Sequence, residues 1–402
     1  MPLPSSWRVA LAENWQTAGF GLYVHWPFCE AKCPYCDFNS HVVSGVDQDR
    51  WARALCREID RWGQRTPGRV LGSIFFGGGT PSLMVPETVD RILETTRNTW
   101  AWSNDIEITL EANPGSVDAK RFEGYAKAGV NRVSLGIQAL NDTDLRRLGR
   151  IHDVKTALNS LDIARHLFKR VSFDLIYARQ DQSLMSWRDE LEQALSFRPD
   201  HLSLYQLTIE PGTAFWERRS AGGLRGLPDE DLAADMFEMT QDICGHSGLT
   251  AYEVSNHAVD GGESRHNLIY WRYGDWIGVG PGAHGRITDG TDERLSWVAH
   301  AQPGKWIEAA EAGSGDQTLE VVSPQDAVSE HLMMGLRLTE GVDLERLMSR
   351  VPECIDTAQL DFLTDLGLLW RDETRFGTTL QGRLLLNRVV SELMPDSTVS
   401  KG

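Results

Sequence analysis

The chain has 402 residues, 41% hydrophobic and 24% charged, with 57 Asp and Glu against 40 Lys and Arg for a formal net charge of −17. That length and apolar content suit one large domain plus a smaller one with a full core, and they exclude wholesale disorder. The acidity, with no Lys/Arg run to offset it, argues against nucleic-acid binding. Met1 to Trp7 lacks the basic and apolar stretches of a secretory signal, and no apolar run approaches the ~20 residues that cross a bilayer. A cytoplasmic protein without an integral membrane segment is expected, any membrane contact being peripheral and made through a partner.

From residue 20 to 260, strand-like apolar runs alternate with amphipathic helical stretches. Gly21–Trp26 is followed by Arg50–Trp62, Ser73–Phe76 by Glu87–Thr99, and Ile106–Glu111 by Ala119–Ala128. Then come Arg132–Gln138 with Val154–Leu167, Ser172–Tyr177 with Trp187–Phe197, and Leu202–Ile209 with Leu232–Cys244. Repeated strand–helix units predict an α/β fold, a parallel sheet rolled by right-handed crossovers into a partial or complete barrel. Its active site belongs at the C-terminal strand ends. Chemistry-bearing residues fall at those ends: cysteines after the first strand, Gly77-Gly78-Gly79-Thr80 after the second, Glu111 closing the third, Gln138 ending the fourth, and Asp174 in the fifth.

Between about 255 and 320 the pattern breaks into Gly- and Trp-rich loop. From Ser323 it is helical again, with Asp326–Leu338, Leu344–Arg350 and Ala358–Leu366, a hairpin around Arg371–Thr379 and a last helix over Leu380–Leu393. The expected division is 1–260 as barrel core, 261–322 as connecting region, and 323–402 as a smaller, mainly helical, winged-helix-like domain.

Cys29, Cys33 and Cys36 form a C-x-x-x-C-x-x-C array, whereas Cys56, Cys244 and Cys354 are scattered in helical patterns and read as buried fillers. Three thiolates on one loop can hold three irons of a four-iron–four-sulfur (4Fe–4S) cluster and leave the fourth iron open. The competing reading is a structural zinc site completed by His25 or His41. Such sites usually pair two C-x-x-C elements, and no second pair is present.

This array after the first strand of a β/α barrel resembles the radical S-adenosylmethionine (SAM) superfamily. Tyr23-Val-His25-Trp-Pro27-Phe28-Cys29, Gly77-Gly-Gly-Thr80-Pro81 and Glu111-Ala-Asn113-Pro114 narrow the resemblance to the branch with oxygen-independent coproporphyrinogen III dehydrogenase (HemN) and the HemW-type haem chaperones. The resemblance implies a 4Fe–4S cluster on Cys29, Cys33 and Cys36, its open iron chelated by SAM. It implies SAM contacts from Tyr23, Tyr35, Gly78, Gly79 and Thr80, with Glu111, Gln138, Arg150 and Asp174 around the ribose and methionine ends.

Two departures separate the halves of that branch. The dehydrogenase pattern adds a fourth cysteine two residues after the third, where this chain has Phe38, and it carries a longer N-terminal region. His266-Asn267-Leu-Ile-Tyr270-Trp271 matches a motif associated with haem binding in HemW-type proteins, an imidazole for the iron and flat rings for the porphyrin. The expectation is a haem chaperone rather than an enzyme, with haem as cargo, recipient apo-haem proteins as partners, a reductant protein if SAM is cleaved, and a homodimer. The alternative is the dehydrogenase reaction, oxidative decarboxylation of coproporphyrinogen III.

Overall fold

The computed structural model describes residues 14–43, 45–290 and 293–394; Met1 to Trp7, where no secretory signal is expected, lies outside the described residues. Six strands alternate with helices as the sequence pattern requires. They are β1 (Phe20–Trp26), α1 (Gln48–Arg65), β2 (Val70–Gly78), α2 (Pro86–Thr99), β3 (Ala101–Ala112), α3 (Ala119–Ala128), β4 (Arg132–Gln138), α4 (Val154–Leu167), β5 (Arg170–Tyr177), α5 (Leu184–Ser196), β6 (His201–Gln206) and α6 (Glu230–His246). β1 through β6 pair in parallel in that order. The last strand stops at Gln206, short of the expected Ile209.

The period-2 alternation of these strands decides what faces inward. Phe20, Leu22, Val24 and Trp26, with Ile74, Phe76, Ile108, Leu110, Val133, Leu135 and Phe173, are buried under the helices. Each such side chain contributes roughly 1.5–3 kcal/mol by leaving water. Register then places Tyr23, Ser73, Phe75, Thr109, Glu111, Arg132, Ser134, Ser172, Asp174 and Ser203 on the opposite, inner face. That face is polar, unlike the apolar filling usual in a closed β/α barrel.

The region expected as loop is instead built of strands. After β7 (Thr250–Ala251) and β8 (Asn256–Ala258), helix α7 (Arg265–Trp271) leads to β9 (Asp275–Val279), β10 (His284–Thr288), β11 (Arg294–Ala299), α8 (Pro303–Ala312) and β12 (Asp316–Val322). The result is one 12-stranded mixed sheet in the order 12-11-10-9-1-2-3-4-5-6-8-7. Glycines that read as turn signals are packing requirements here. A Cβ on Gly285 would lie 1.9 Å from the Trp297 ring, and one on Gly278 would lie 2.1 Å from the His284 carbonyl. Trp297 stacks on Trp62 of α1 with centroids 3.7 Å apart, so the main core runs on without a break through Trp297, Trp306 and Ala310.

Residues 324–394 hold a second core of Val328, Leu332, Leu336, Val342, Leu347, Leu360, Phe376 and Val389. It combines α9 (Pro324–Gly335) and shorter helices with a three-stranded sheet of Val342–Asp343, Arg375–Thr378 and Leu369–Arg371. The expected last helix is two, broken at Leu385. Arg286–Glu330, Tyr273–Glu330 and Arg272–Glu340 tie this module to the large sheet at 2.9, 2.7 and 2.7 Å.

Candidate functional site: a cysteine-rimmed cleft at the strand ends

The loop leaving β1 carries the cysteines and is held from two sides. The Cys36 amide donates to the Cys33 carbonyl at 3.1 Å. Asn39 donates from its amide to the Pro281 and Ala301 carbonyls at 2.9 and 2.8 Å, so the strand extension anchors the loop. All three cysteines, together with Tyr35, Gly78, Gly79, Thr80, Glu111, Gln138, Arg150 and Asp174, line one cleft open to solvent. Tyr23 lies one layer beneath it, its hydroxyl 3.0 Å from His25 Nδ1 and its ring beside Phe75.

The glycine turn is sterically obligatory. Gly78 has φ +112° and a Cβ there would lie 2.6 Å from the His25 ring; one on Gly79 would lie 2.7 Å from the Phe28 carbonyl and 3.0 Å from Cys29 Sγ. Thr80 donates from its hydroxyl to Cys29 Sγ at 3.4 Å, and the Arg150 guanidinium donates to Cys33 Sγ at 3.2 Å and to the Gly136 carbonyl at 3.0 Å. Opposite, Glu111 accepts from the Gly78 amide at 3.2 Å and Asp174 from the Ser134 hydroxyl at 3.2 Å. Burial, reinforced by the charge of Asp174, pushes Glu111 up to about 8. Burial pushes Asp174 up to about 6 against the hydroxyls of Ser203 and Ser134. Gln138 adopts φ +73°, a left-handed backbone rare outside glycine, at the cleft wall.

The donor set suits an iron–sulfur cluster and SAM. The cysteines share the cleft, yet among the described residues no three His, Cys, Asp or Glu side chains converge to hold a single metal ion. The zinc reading also loses its fourth ligand, since His25 is held by Tyr23 and the Asn39 carbonyl, and His41 by the Asn39 side chain. Arg150 Nε is buried without a partner among the described residues, a donor left over for a ligand.

The His-Asn-x-x-Tyr-Trp residues lie elsewhere, on α7, which closes the opposite end of the curved sheet. Ser264 caps α7 by accepting from the Asn267 amide, and the His266 amide donates to Glu107, itself paired with Arg132. His266 is 1% exposed. Its Nδ1 is 2.8 Å from Ser73 Oγ and its Nε2 is 2.8 Å from the Tyr270 hydroxyl. Burial, with the Arg132 charge nearby, pulls it down to about 3. Both ring nitrogens are therefore engaged, and an iron would have to displace Tyr270 or Ser73 to reach either. Asn267 donates weakly to the Tyr252 hydroxyl at 3.4 Å, and Trp271 turns toward Arg337 of the C-terminal module. Sequence reasoning missed Asn39, Ser134 and Ser203. The two serines could have been found by extending the strand alternation that located Glu111 and Asp174.

The Radical SAM superfamily profile matches residues 23–192 and the HemN C-terminal domain profile residues 322–385. The solved structure of coproporphyrinogen III oxidase (HemN) from Escherichia coli superposes with a TM-score of 0.79, covering 98% of this chain and 94% of that one at 21% identity, which speaks to the fold alone. The fold is that of a radical SAM protein. The heme chaperone HemW of Escherichia coli is 38% identical over 92% of this chain and 96% of its own length. The mitochondrial radical S-adenosyl methionine domain-containing protein 1 of Bos taurus is 36% identical over 98% and 89%. The chain belongs to the HemW family of that superfamily, whose membership implies SAM and an iron–sulfur cluster.

Proposed function

We propose that the protein is a haem chaperone, binding haem, keeping a SAM-chelated 4Fe–4S cluster in the cleft and passing haem to recipient haem proteins in the cytoplasm. The observation that carries this reading is the similarity to a named haem chaperone over nearly the full length of both chains. Phe38 supports it: the ring is 63% exposed where the dehydrogenase pattern has a fourth cysteine. No helix among the described residues is long and apolar enough to cross a membrane, in keeping with delivery through protein contacts.

Cys29, Cys33 and Cys36 would hold the cluster, with Thr80 and Arg150 donating to the sulfurs and so favouring thiolates. The Gly78–Gly79–Thr80 backbone, with Tyr35 and Gln138, would line the bed for SAM. Glu111 and Asp174 would accept from ribose hydroxyls and Arg150 would pair with the methionine carboxylate. When bound, cluster and SAM together supply one-electron chemistry. His266, Asn267, Tyr270 and Trp271 would contribute to haem binding, His266 offering a nitrogen once Tyr270 or Ser73 gives way. Phe38, Val42 and Val43, all exposed beside the cysteine loop, suit self-association.

Two arms test the reading: haem titrated into cluster-loaded protein and followed by the Soret band, and an anaerobic assay with SAM, reductant and coproporphyrinogen III. Saturable binding near one haem per chain and no decarboxylated porphyrin are expected. Multiple-turnover product without haem binding would replace the chaperone with the dehydrogenase.

A further inference from the structure

The cysteine loop borders two spaces. Cys33 and Cys36 line the cleft described above, and they also line a second, open recess that shares no other residue with it. Around the two cysteines this recess carries Lys32, Arg146, Arg147, Glu217 and Arg218. Three segments meet there because their backbones touch. A Cβ on Gly149, which has φ +70°, would lie 2.5 Å from the Pro34 ring, so the turn after the helix Asp142–Arg147 packs directly on the loop. The Phe215 amide donates to the Pro34 carbonyl at 2.8 Å, and the Tyr35 and Phe215 ring centroids lie 6.4 Å apart. These contacts fasten the helix Ala214–Ser220 to the same loop.

The recess is cationic in a molecule whose net charge is −17. Lys32, Arg146 and Arg218 are exposed, and among the described residues no carboxylate pairs with any of them. Arg146 donates to the Thr143 hydroxyl at 3.3 Å, and the Arg218 guanidinium lies over the Phe215 ring at 5.9 Å. Arg147 is neutralised by Asp144 and Asp181 at 3.6 and 3.0 Å, and Glu217 is the single carboxylate in the lining. A surplus of positive charge therefore stands beside two of the cysteines that would hold the cluster. Such a field draws in a partner of opposite charge and speeds its arrival. Reducing a cluster takes an electron from another molecule. The cleft side of the loop is the bed for SAM, whereas on the recess side only the loop itself separates the cysteines from a docked donor.

We infer that this recess docks an acidic one-electron carrier protein, which reduces the cluster through the segment from Cys33 to Cys36. The carrier is oxidised by one electron and the cluster reduced by one; no bond is made or broken and no proton moves. This rests on the reading that the cleft keeps a cluster. The test uses the cluster-loaded full chain, with iron counted in every variant, and reduced flavodoxin (an acidic flavin carrier) as the probe. Bleaching of the cluster in anaerobic stopped flow gives the second-order rate, and dithionite, which needs no docking surface, is the parallel reductant. Arg146→Glu and Arg218→Glu should each slow reduction by flavodoxin roughly tenfold at low salt and flatten its dependence on ionic strength. Reduction by dithionite should change little, and Arg388→Glu, an exposed reversal on the C-terminal module, should alter neither rate. A flavodoxin rate left unchanged by either recess variant would overturn the assignment. Equal slowing with both reductants would also overturn it, since it would mark the arginines as shaping the cluster loop. Wild type that dithionite reduces and flavodoxin does not would overturn the acidic carrier. Wild type that retains no iron would instead remove the cluster reading on which the assignment stands.

Discussion

Gly78 and Gly79 lie where backbone, imidazole and cysteine sulfur meet, and their lack of a side chain makes the cleft possible. Gly79→Ala drives a Cβ against the Phe28 carbonyl, which cannot move without shifting Cys29. Overpacking of this kind costs about 1–3 kcal/mol, and SAM binding measured by calorimetry should weaken more than tenfold. Glu111 offers a different test. Its folded-state pKa is raised to about 8 by burial and by Asp174, whereas the unfolded chain titrates near 4.3. The folded state therefore holds the extra proton between those values, and its contribution to stability, complete at low pH, is lost as pH rises through about 8. Cofactor-free protein should be less stable to urea at pH 9 than at pH 6, and Glu111→Gln should flatten that slope. At this scale the sequence was readable where spacing encodes function, as in the cysteine array and the glycine turn. The engagement of His266 was not readable, because only the packing of Tyr270 and Ser73 shows that both its nitrogens are taken.

The strand–helix alternation was legible from β1 to α6 because each strand buries one face under a helix. The extension β9–β12 was not. Its strands are short and carry glycines at 278 and 285, which weaken a strand unless a neighbour fills the space. Trp297 is that neighbour for Gly285, and its stack on Trp62 fastens the extension to α1. Trp297→Ala should cost about 3–5 kcal/mol by chemical denaturation. Because Asn39 anchors the cysteine loop on Pro281 and Ala301, the same variant should also reconstitute fewer irons per chain. Normal iron content in a destabilised Trp297→Ala would separate the extension from the cluster loop.

Over the whole molecule, one mixed sheet joins two places of different chemistry: a cysteine-rimmed cleft at the ends of β1 to β5 and the packed cluster of His266, Tyr270 and Trp276 on and beside α7. The C-terminal module is pinned beside that cluster by Glu330, which receives both Arg286 and Tyr273. Glu330→Gln keeps the shape and removes the charge; limited proteolysis should then cut faster near residues 313–323, without loss of the far-ultraviolet circular dichroism of the barrel. The place of the His-Asn-x-x-Tyr-Trp residues was only partly readable in advance, since their spacing does not tell that Ser73 and Tyr270 take up both nitrogens of His266. The most direct test of the central claim is haem handover. Haem-loaded protein is mixed with increasing apo-acceptor haem protein, and the acceptor's Soret spectrum is followed in stopped flow. A chaperone should give a transfer rate that rises with acceptor concentration and exceeds spontaneous haem release. A rate fixed at the release rate whatever the acceptor concentration would contradict haem delivery by this protein.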